Sequence, residues 1–354
     1  MDMEVAVGSA PHLATWLRKS VEMPPEQWVN INSNYALRGK LHENCQTLLR
    51  DAYAKGDQAA LERMHEVLSF IYELDFSSAD IKRVDSEMQP LLRDIAATLE
   101  RGMLEHEYQS IPEETISSYP TGGAEYLRWL KRLIAHHRCS RHPFYHSFLT
   151  EKATAADLKY FLANETNLDP RFDDILAMMQ VGVQGAAKIE IASNYFDEMG
   201  NGHAERIHSH IFQRTLDDLK IDAQYIRDNV LLEGRISGNI SSCLAVARRH
   251  YFKAIGYFGV TEFLAPRRSK FFAAAWRRNG LPESGVLYHE MHIKIDADHA
   301  RGWFDNVIVP LIDKDPRIGR EIALGSMIRL NSSARYLDAV VAHLEAQRAA
   351  RPVA

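Results

Sequence analysis

Cysteine is scarce in this sequence, which has three among its 354 residues: Cys45, Cys139 and Cys243. The number is odd, the three are far apart, and no two form a CxxC pair. This pattern predicts no disulfide framework, and it counts against a structural zinc site built from thiolates. We therefore expect the reducing environment of the cytoplasm.

Long apolar runs and blocks of like charge are also missing. No window of about 18 uncharged apolar residues occurs, so no membrane span is predicted. The start, MDMEVAVGSAPHLATW, lacks the basic residues and apolar run of a signal peptide. The net charge is −5, and the basic pairs Arg267-Arg268 and Arg277-Arg278 are short. Neither nucleic acid nor a membrane is therefore expected as a partner.

Helical spacing of apolar residues is present along most of the chain. Hydrophobic residues make up 46% of the sequence, enough for a sizeable core. Apolar positions recur three and four residues apart, and no useful length of period-two alternation interrupts them. The sequence therefore predicts an all-α fold.

Turn and capping residues predict several helix boundaries. Gly56-Asp57 fits a turn ahead of a helix, and Thr154 fits the N-cap of another. Asn279-Gly280 is a typical helix end, and Pro266 is expected to end a helix as well. Three further helices are predicted over residues 186–208, 242–263 and 270–278.

A segment rich in proline, serine and glycine, residues 111–123, indicates a linker. We place the domain boundary between residues 119 and 120. Residues 1–119 read as helices without a candidate site, and their expected role is packing or dimerisation. Residues 120–354 contain the polar residues that suggest chemistry.

One helix face in the second region carries the pattern HxxxDxxH. His292, Asp296 and His299 lie at positions i, i+4 and i+7, within an arc of about 60° on a helix. The two histidines would be about 10 Å apart along the axis, too far for one metal ion to bind both comfortably. Two ions about 4 Å apart, with the carboxylate near both, fit the spacing better.

Other polar residues interrupt apolar helices and could complete such a site. Glu205 and His208 form an ExxH pair on one helix face, and Glu198 would share that face if the helix stays regular. Glu262 lies in the apolar stretch YFGVTEFL, and Glu165 follows YFLA. Glutamates and ExxH pairs meeting in a bundle core are typical of di-iron carboxylate sites, and the donors suit iron or manganese. Each motif alone is common on solvated helix faces, but together they favour a metal site.

These motifs resemble the haem-oxygenase-like di-iron oxidases, often called iron-containing redox enzymes. The resemblance rests on DEMGNG at residues 197–202 with Glu205 and His208, on YFG with Glu262, and on the HxxxDxxH helix followed by Ala300 and Trp303. It covers roughly residues 120–310 and implies a haem-oxygenase-like helical bundle with an N-terminal helical extension used for dimerisation. The ligands that it implies are Glu198 and/or Glu205, His208, Glu262, His292, Asp296 and His299, with Glu165 as a further candidate.

The resemblance also implies a reaction. The expected cofactors are two Fe(II) ions, or manganese in their place, with O2 as co-substrate and an external reductant. The expected chemistry is N-oxygenation of an amine or guanidine, or oxidative C–C cleavage of an amino acid or fatty acid. A small amine or amino acid is the expected substrate, and a homodimer is the expected assembly.

Three other readings remain open at this point. A metal-free member of the same fold could be a thiaminase-like hydrolase, which needs a nucleophilic cysteine such as Cys243, or a quinone-cofactor synthase. A non-enzymatic helical interaction protein would have these polar residues on solvated faces and would take up no metal. A haem enzyme would need a single proximal histidine in an apolar pocket, and not three carboxylates.

Overall fold

The structure is a computed structural model that describes residues 13–77 and 89–350. Over these two ranges the regular structure is helical, without a strand, and the prediction of an all-α fold is confirmed. None of the described helices is both long and apolar enough to cross a membrane. The chain divides into two compact units between Ser110 and Ile111.

The first unit contains five helices within its described residues. Asp57 caps α4 by accepting hydrogen bonds from the backbone N–H groups of Ala59 and Ala60, which confirms the predicted turn. The fully buried side chains of Leu68 and Leu99 lie in its core. A role in dimerisation stays a prediction. The helices are α1 (Leu13–Ser20), α2 (Pro25–Ser33), α3 (Tyr35–Leu49), α4 (Gln58–Asp75) and α5 (Pro90–Gln109).

The second unit contains twelve α-helices within its described residues. Thr154 forms the predicted N-cap of α8, in a reciprocal capping box with Asp157. The helices are α6 (Glu113–Ser117), α7 (Gly123–His136), α8 (Ala155–Glu165), α9 (Phe172–Met179), α10 (Gly185–Glu198), α11 (His208–Asp218), α12 (Ala223–Asn229), α13 (Leu232–Val246), α14 (Tyr251–Arg278), α15 (Leu287–Gly302), α16 (Val309–Lys314) and α17 (Ile318–Ala349).

Helix α14 is the centre of the second unit, and it packs most extensively against α17 and α15. The backbones of α14 and α17 approach closely through two glycines. A Cβ on Gly256 would lie 1.9 Å from the carbonyl oxygen of Ile322, and one on Gly325 would lie 1.9 Å from that of Lys253. Only a residue without a side chain fits at these positions.

The predicted helix over residues 242–263 and the predicted stop at Pro266 are both wrong. Helix α13 ends at Val246, a 3-10 turn follows, and α14 begins at Tyr251 and runs through Pro266 to Arg278. Proline cannot donate a hydrogen bond to the carbonyl of Glu262 four residues earlier, which costs about 3 kcal/mol. The extensive packing of α14 between its neighbours offsets that cost. The predicted end at Asn279-Gly280 is confirmed, with Gly280 at φ 65°.

A single helix over residues 186–208 is also wrong. Helix α10 ends at Glu198, and the chain then passes through Gly200, Asn201 and Gly202 with φ values of 62°, 54° and 83°. Three successive left-handed residues are incompatible with a right-handed helix. The helix is interrupted over residues 199–207, and α11 begins at His208.

Candidate metal centre

Six of the predicted ligands meet in two buried groups. In each group, one possible ligand atom from every residue lies within 4.8 Å of the others. All six residues are at most 6% exposed. The first triad is Glu198, His208 and His292, and the second triad is Glu262, Asp296 and His299.

The first triad forms where the break after α10 brings two helix ends together. Glu198 is the last residue of α10 and His208 the first of α11, and their Oε2 and Nδ1 atoms are 2.8 Å apart. His292, on α15, has its Nε2 4.0 Å from Oε1 of Glu198. Its other ring nitrogen, Nδ1, lies 2.5 Å from the carbonyl oxygen of Tyr288 and donates to it. This hydrogen bond leaves the lone pair of Nε2 for a metal.

The second triad joins α14 to α15. Nδ1 of His299 lies 3.5 Å from Oε2 of Glu262 and 3.8 Å from Oδ1 of Asp296, and it has no hydrogen-bond partner. Oε1 of Glu262 also lacks one. Nε2 of His299 donates to Oδ2 of Asp197 at 3.0 Å. An imidazole that a carboxylate orients on one side, with its other nitrogen aimed at carboxylate oxygens, is typical of a metal ligand.

The electrostatics of the six residues favour a bound cation. Burial raises the pKa of Asp296 well above its ordinary value, and the charges of Glu262 and Glu198 add to this effect. Burial also raises the pKa of Glu262. Burial opposes the charged form of His299, but Glu262, Asp197 and Asp296 outweigh it and raise the pKa of His299 to about 10. Without a metal the triads therefore hold protons that metal ions would replace.

The donor chemistry fits iron. The first triad offers one carboxylate and two imidazoles, and the second offers two carboxylates and one imidazole. Such mixed oxygen and nitrogen donors suit iron or manganese, and three protein ligands leave open positions for small molecules. The two triads share α15, where His292 and Asp296 are one turn apart.

Two of the predicted ligands, Glu205 and Glu165, lie outside the triads, and so does His289, which is close to His292 on α15. Glu205 is on an exposed 3-10 turn with 66% of its side chain accessible, and its nearest charged partner is His203. The regular helix that would have aligned it with Glu198 does not exist. Glu165 is buried at the end of α8 and accepts a hydrogen bond from Tyr336 at 2.8 Å. His289 stacks on Phe272, with ring centroids 3.9 Å apart, and does not orient His292.

A cavity of about 100 Å³ adjoins the triads. Its wall includes the triad residues Glu198, Glu262, His292 and Asp296, together with aromatic rings such as Phe161 and Phe172. The remainder of the wall carries charged residues that are not ligands: Glu165, Asp169, Arg268 and Arg329.

Four functional candidates were missed at the sequence level. Asp197 belongs to the DEMGNG motif but not to the expected ligands, and Asp169 reads as part of a turn before Pro170. Arg268 reads as half of a surface pair. Arg329 could have been identified from the sequence, because it is the one charged residue within the apolar stretch IALGSMIRL.

Comparison with known proteins agrees with this geometry. The family model for iron-containing redox enzymes matches residues 159–334, a range that contains both triads and the cavity wall from α8 to α17. No curated protein matches the chain. The resemblance inferred from the motifs is confirmed, and so is the haem-oxygenase-like all-α fold. Through residues 159–334, the chain belongs to the iron-containing redox enzyme family, a family of oxidoreductases.

Proposed function

We propose that the protein is an O2-activating non-haem di-iron oxidase or oxygenase that acts on a small amine or amino acid. The observation that carries the proposal is the pair of buried triads that share α15. A structural metal site would be closed by four protein ligands, whereas each triad has three and opens towards a common cavity.

Each triad would hold one Fe(II) ion. When bound, the two irons would supply positions for O2 and the electrons that reduce it, and an external reductant would return the irons to the Fe(II) state. The chain itself orients the ligands. The carbonyl of Tyr288 fixes the ring of His292, and the carboxylate of Asp197 fixes the ring of His299. Both hydrogen bonds hold a proton on the nitrogen that faces away from the triad.

The cavity wall supports a small substrate. Aromatic side chains from α8, α9 and α14, including Phe161, Phe172 and Phe272, exclude bulk water beside the triads. His289 lines the same wall with its Nδ1 lacking a partner, and burial lowers the pKa of His289 to about 3. The imidazole is therefore neutral at physiological pH and can exchange a hydrogen bond with a bound substrate.

Anaerobic Fe(II) titration, followed by mixing with O2 and Mössbauer spectroscopy, tests the proposal. We expect about two irons per chain, and about one in either His292→Ala or Glu262→Ala. Glu198→Ala and Glu205→Ala form a matched pair. The first variant should lose an iron because Glu198 belongs to a triad, and the second should retain both. A wild-type protein that binds no iron, or equal losses in the matched pair, would refute the di-iron assignment.

The structure gives less support to the other readings. A thiaminase-like mechanism needs a cysteine at the site, but Cys243 lies fully buried on α13 and does not line the cavity. A haem would need one histidine in an apolar pocket. Instead, His208, His292 and His299 each lie beside a carboxylate.

A further inference from the structure

Arg329 is a buried charge that forms no hydrogen bond or ion pair with the described residues. It lies on α17, is 9% exposed, and lines the cavity beside the triads. Its Nε has no hydrogen-bond partner, and within residues 13–77 and 89–350 no hydrogen bond or ion pair joins its guanidinium to another group. The ring of Tyr257 lies against it, with the centroid 5.4 Å away, and Glu165 and Asp169 interact with it electrostatically without a hydrogen bond or ion pair. A guanidinium carries five donors, so this burial is costly unless a ligand satisfies them.

Arg268, the other arginine in the cavity wall, does have hydrogen-bond partners. Its Nη2 donates to Sγ of Cys139 at 2.9 Å and to Oγ of Ser333 at 3.0 Å. Burial opposes ionisation of Cys139, but the charge of Arg268 and the hydrogen bonds around the thiol outweigh it and lower the pKa of Cys139 to about 6. The thiolate is therefore a hydrogen-bonded partner of Arg268 at neutral pH, whereas Arg329, whose charge also lowers the pKa of Cys139, forms no hydrogen bond to it.

Two carboxyl groups share the cavity with Arg329 without pairing with it. Glu165 accepts from Tyr336, and neither Glu165 nor Asp169 forms an ion pair within the described residues. Burial raises the pKa of Glu165, and burial with the charges of Glu165 and Glu198 raises that of Asp169. Asp169 interacts electrostatically with Arg329 and with Glu198. The three groups therefore line one cavity, in which Glu165 and Asp169 interact electrostatically with Arg329.

We propose that Arg329 binds the carboxylate of an α-amino acid substrate, whose ammonium group lies against Asp169 and Glu165 and whose side chain extends towards the triads. The direction of the side chain rests on the proposed function, whereas the carboxylate site does not. A guanidinium matches a carboxylate with two parallel hydrogen bonds. A simple amine would leave Arg329 unsatisfied, and a fatty acid would leave two carboxyl groups buried against its alkyl chain. An amino acid would satisfy the guanidinium with its carboxylate and the two carboxyl groups with its ammonium group.

Isothermal titration of the purified full-length protein with the proteinogenic L-amino acids, their α-carboxamides and medium-chain fatty acids tests this inference. We expect an amino acid to bind and its carboxamide to bind about 10- to 150-fold more weakly, because a hydrogen bond to a charged group is lost. Arg329→Gln should weaken the amino acid by a similar factor, and Arg329→Lys should recover part of the loss. Arg320→Gln, on the same helix but exposed and paired with Glu113, is the matched control and should bind normally.

The thermal stability of the ligand-free protein separates this role from a structural one. Arg329→Met should raise the melting temperature, because it removes a buried charge that lacks a partner. An arginine that stabilises the fold would instead lower it. The inference is overturned if no amino acid binds, if the carboxamides bind equally well, if Arg329→Gln binds as the wild type does, or if fatty acids bind and amino acids do not.

Iron stoichiometry keeps this result distinct from the di-iron proposal. Arg329 lies outside both triads, so Arg329→Gln should bind as much Fe(II) as the wild type. Binding of amino acids that depends on Arg329, in a protein that takes up no iron, would support the carboxylate site and refute the oxidase.

Discussion

Replacing Asp197 with asparagine should weaken one iron site and largely preserve the other. The carboxylate of Asp197 accepts a hydrogen bond from Nε2 of His299 at 3.0 Å, and this bond directs Nδ1 towards Glu262 and Asp296. Asparagine has nearly the same shape and can still accept the hydrogen bond, but it lacks the charge that makes the imidazole a stronger ligand. The perturbation is therefore electrostatic.

The expected magnitude follows from this contact. Loss of a carboxylate that orients a metal-binding histidine typically lowers metal affinity about 10- to 100-fold, or about 1.4–2.7 kcal/mol. The side chain of Asp197 is 33% exposed, and solvent screening favours the lower half of that range. We therefore expect a loss of about 10- to 30-fold at the second triad.

Competition with a chelator during anaerobic Fe(II) titration measures both affinities. Asp298→Asn is the matched control, because Asp298 is on α15 beside His299 but is exposed and paired with Arg301. It should leave both affinities unchanged. If Asp197→Asn retains the wild-type affinities, or if Asp298→Asn shows the same loss, the orienting role of Asp197 is wrong.

Two further predictions concern groups away from the triads. Because the folded pKa of Cys139 is lowered to about 6 by Arg268, its thiolate should stabilise the fold increasingly as pH rises from about 6 to about 9, and this contribution should be lost as pH falls through 6. Thiolate absorbance near 240 nm should show a step at about pH 6 that Cys139→Ala removes, and a step only above pH 8 would contradict it. Gly256→Ala should destabilise the protein by about 2 kcal/mol or more, since its Cβ would lie 1.9 Å from the carbonyl oxygen of Ile322. Gly39→Ala, with nothing within 4 Å, should stabilise by about 0.5–1 kcal/mol in thermal melts, and equal effects would refute the close-approach argument.

The all-α fold and the candidate ligands on α15 could be predicted from the sequence, because both depend on local periodicity. His292, Asp296 and His299 share a face of a regular helix, so their spacing alone brings them together. Glu262 could also be predicted, since an acid in an apolar helix requires a partner.

The positions of Glu198 and His208 could not be predicted by the same reasoning, because they depend on where the predicted helix over residues 186–208 is interrupted. A regular helix would have placed Glu205 beside Glu198, and the left-handed residues at Gly200 and Asn201 exclude that arrangement. The ExxH pattern predicted Glu205 and His208 together, but only His208 lies in a triad, and it does so because the helix breaks before it. Pro266 is the opposite case. There the packing of α14 against its neighbours stabilises a helix across a residue that usually ends one.

The charged part of the cavity depends on tertiary contacts alone. Arg268 and Arg329 are far apart in the sequence and on different helices, and no local pattern places them in one wall. Arg268 has a thiolate partner because Cys139, from a third element, lies beside it.

The end of α10 contributes one residue to each of the two proposed iron sites. Asp197 and Glu198 are consecutive residues, and the first reaches the second triad through His299 while the second belongs to the first triad. An ion at either site would therefore hold the same helix end in place for the other. Such linkage is reciprocal, so each ion should raise the affinity for its neighbour by one common factor. Iron uptake should then be sigmoidal, and a variant that disables either triad should bind its one remaining iron more weakly than the wild type binds either ion.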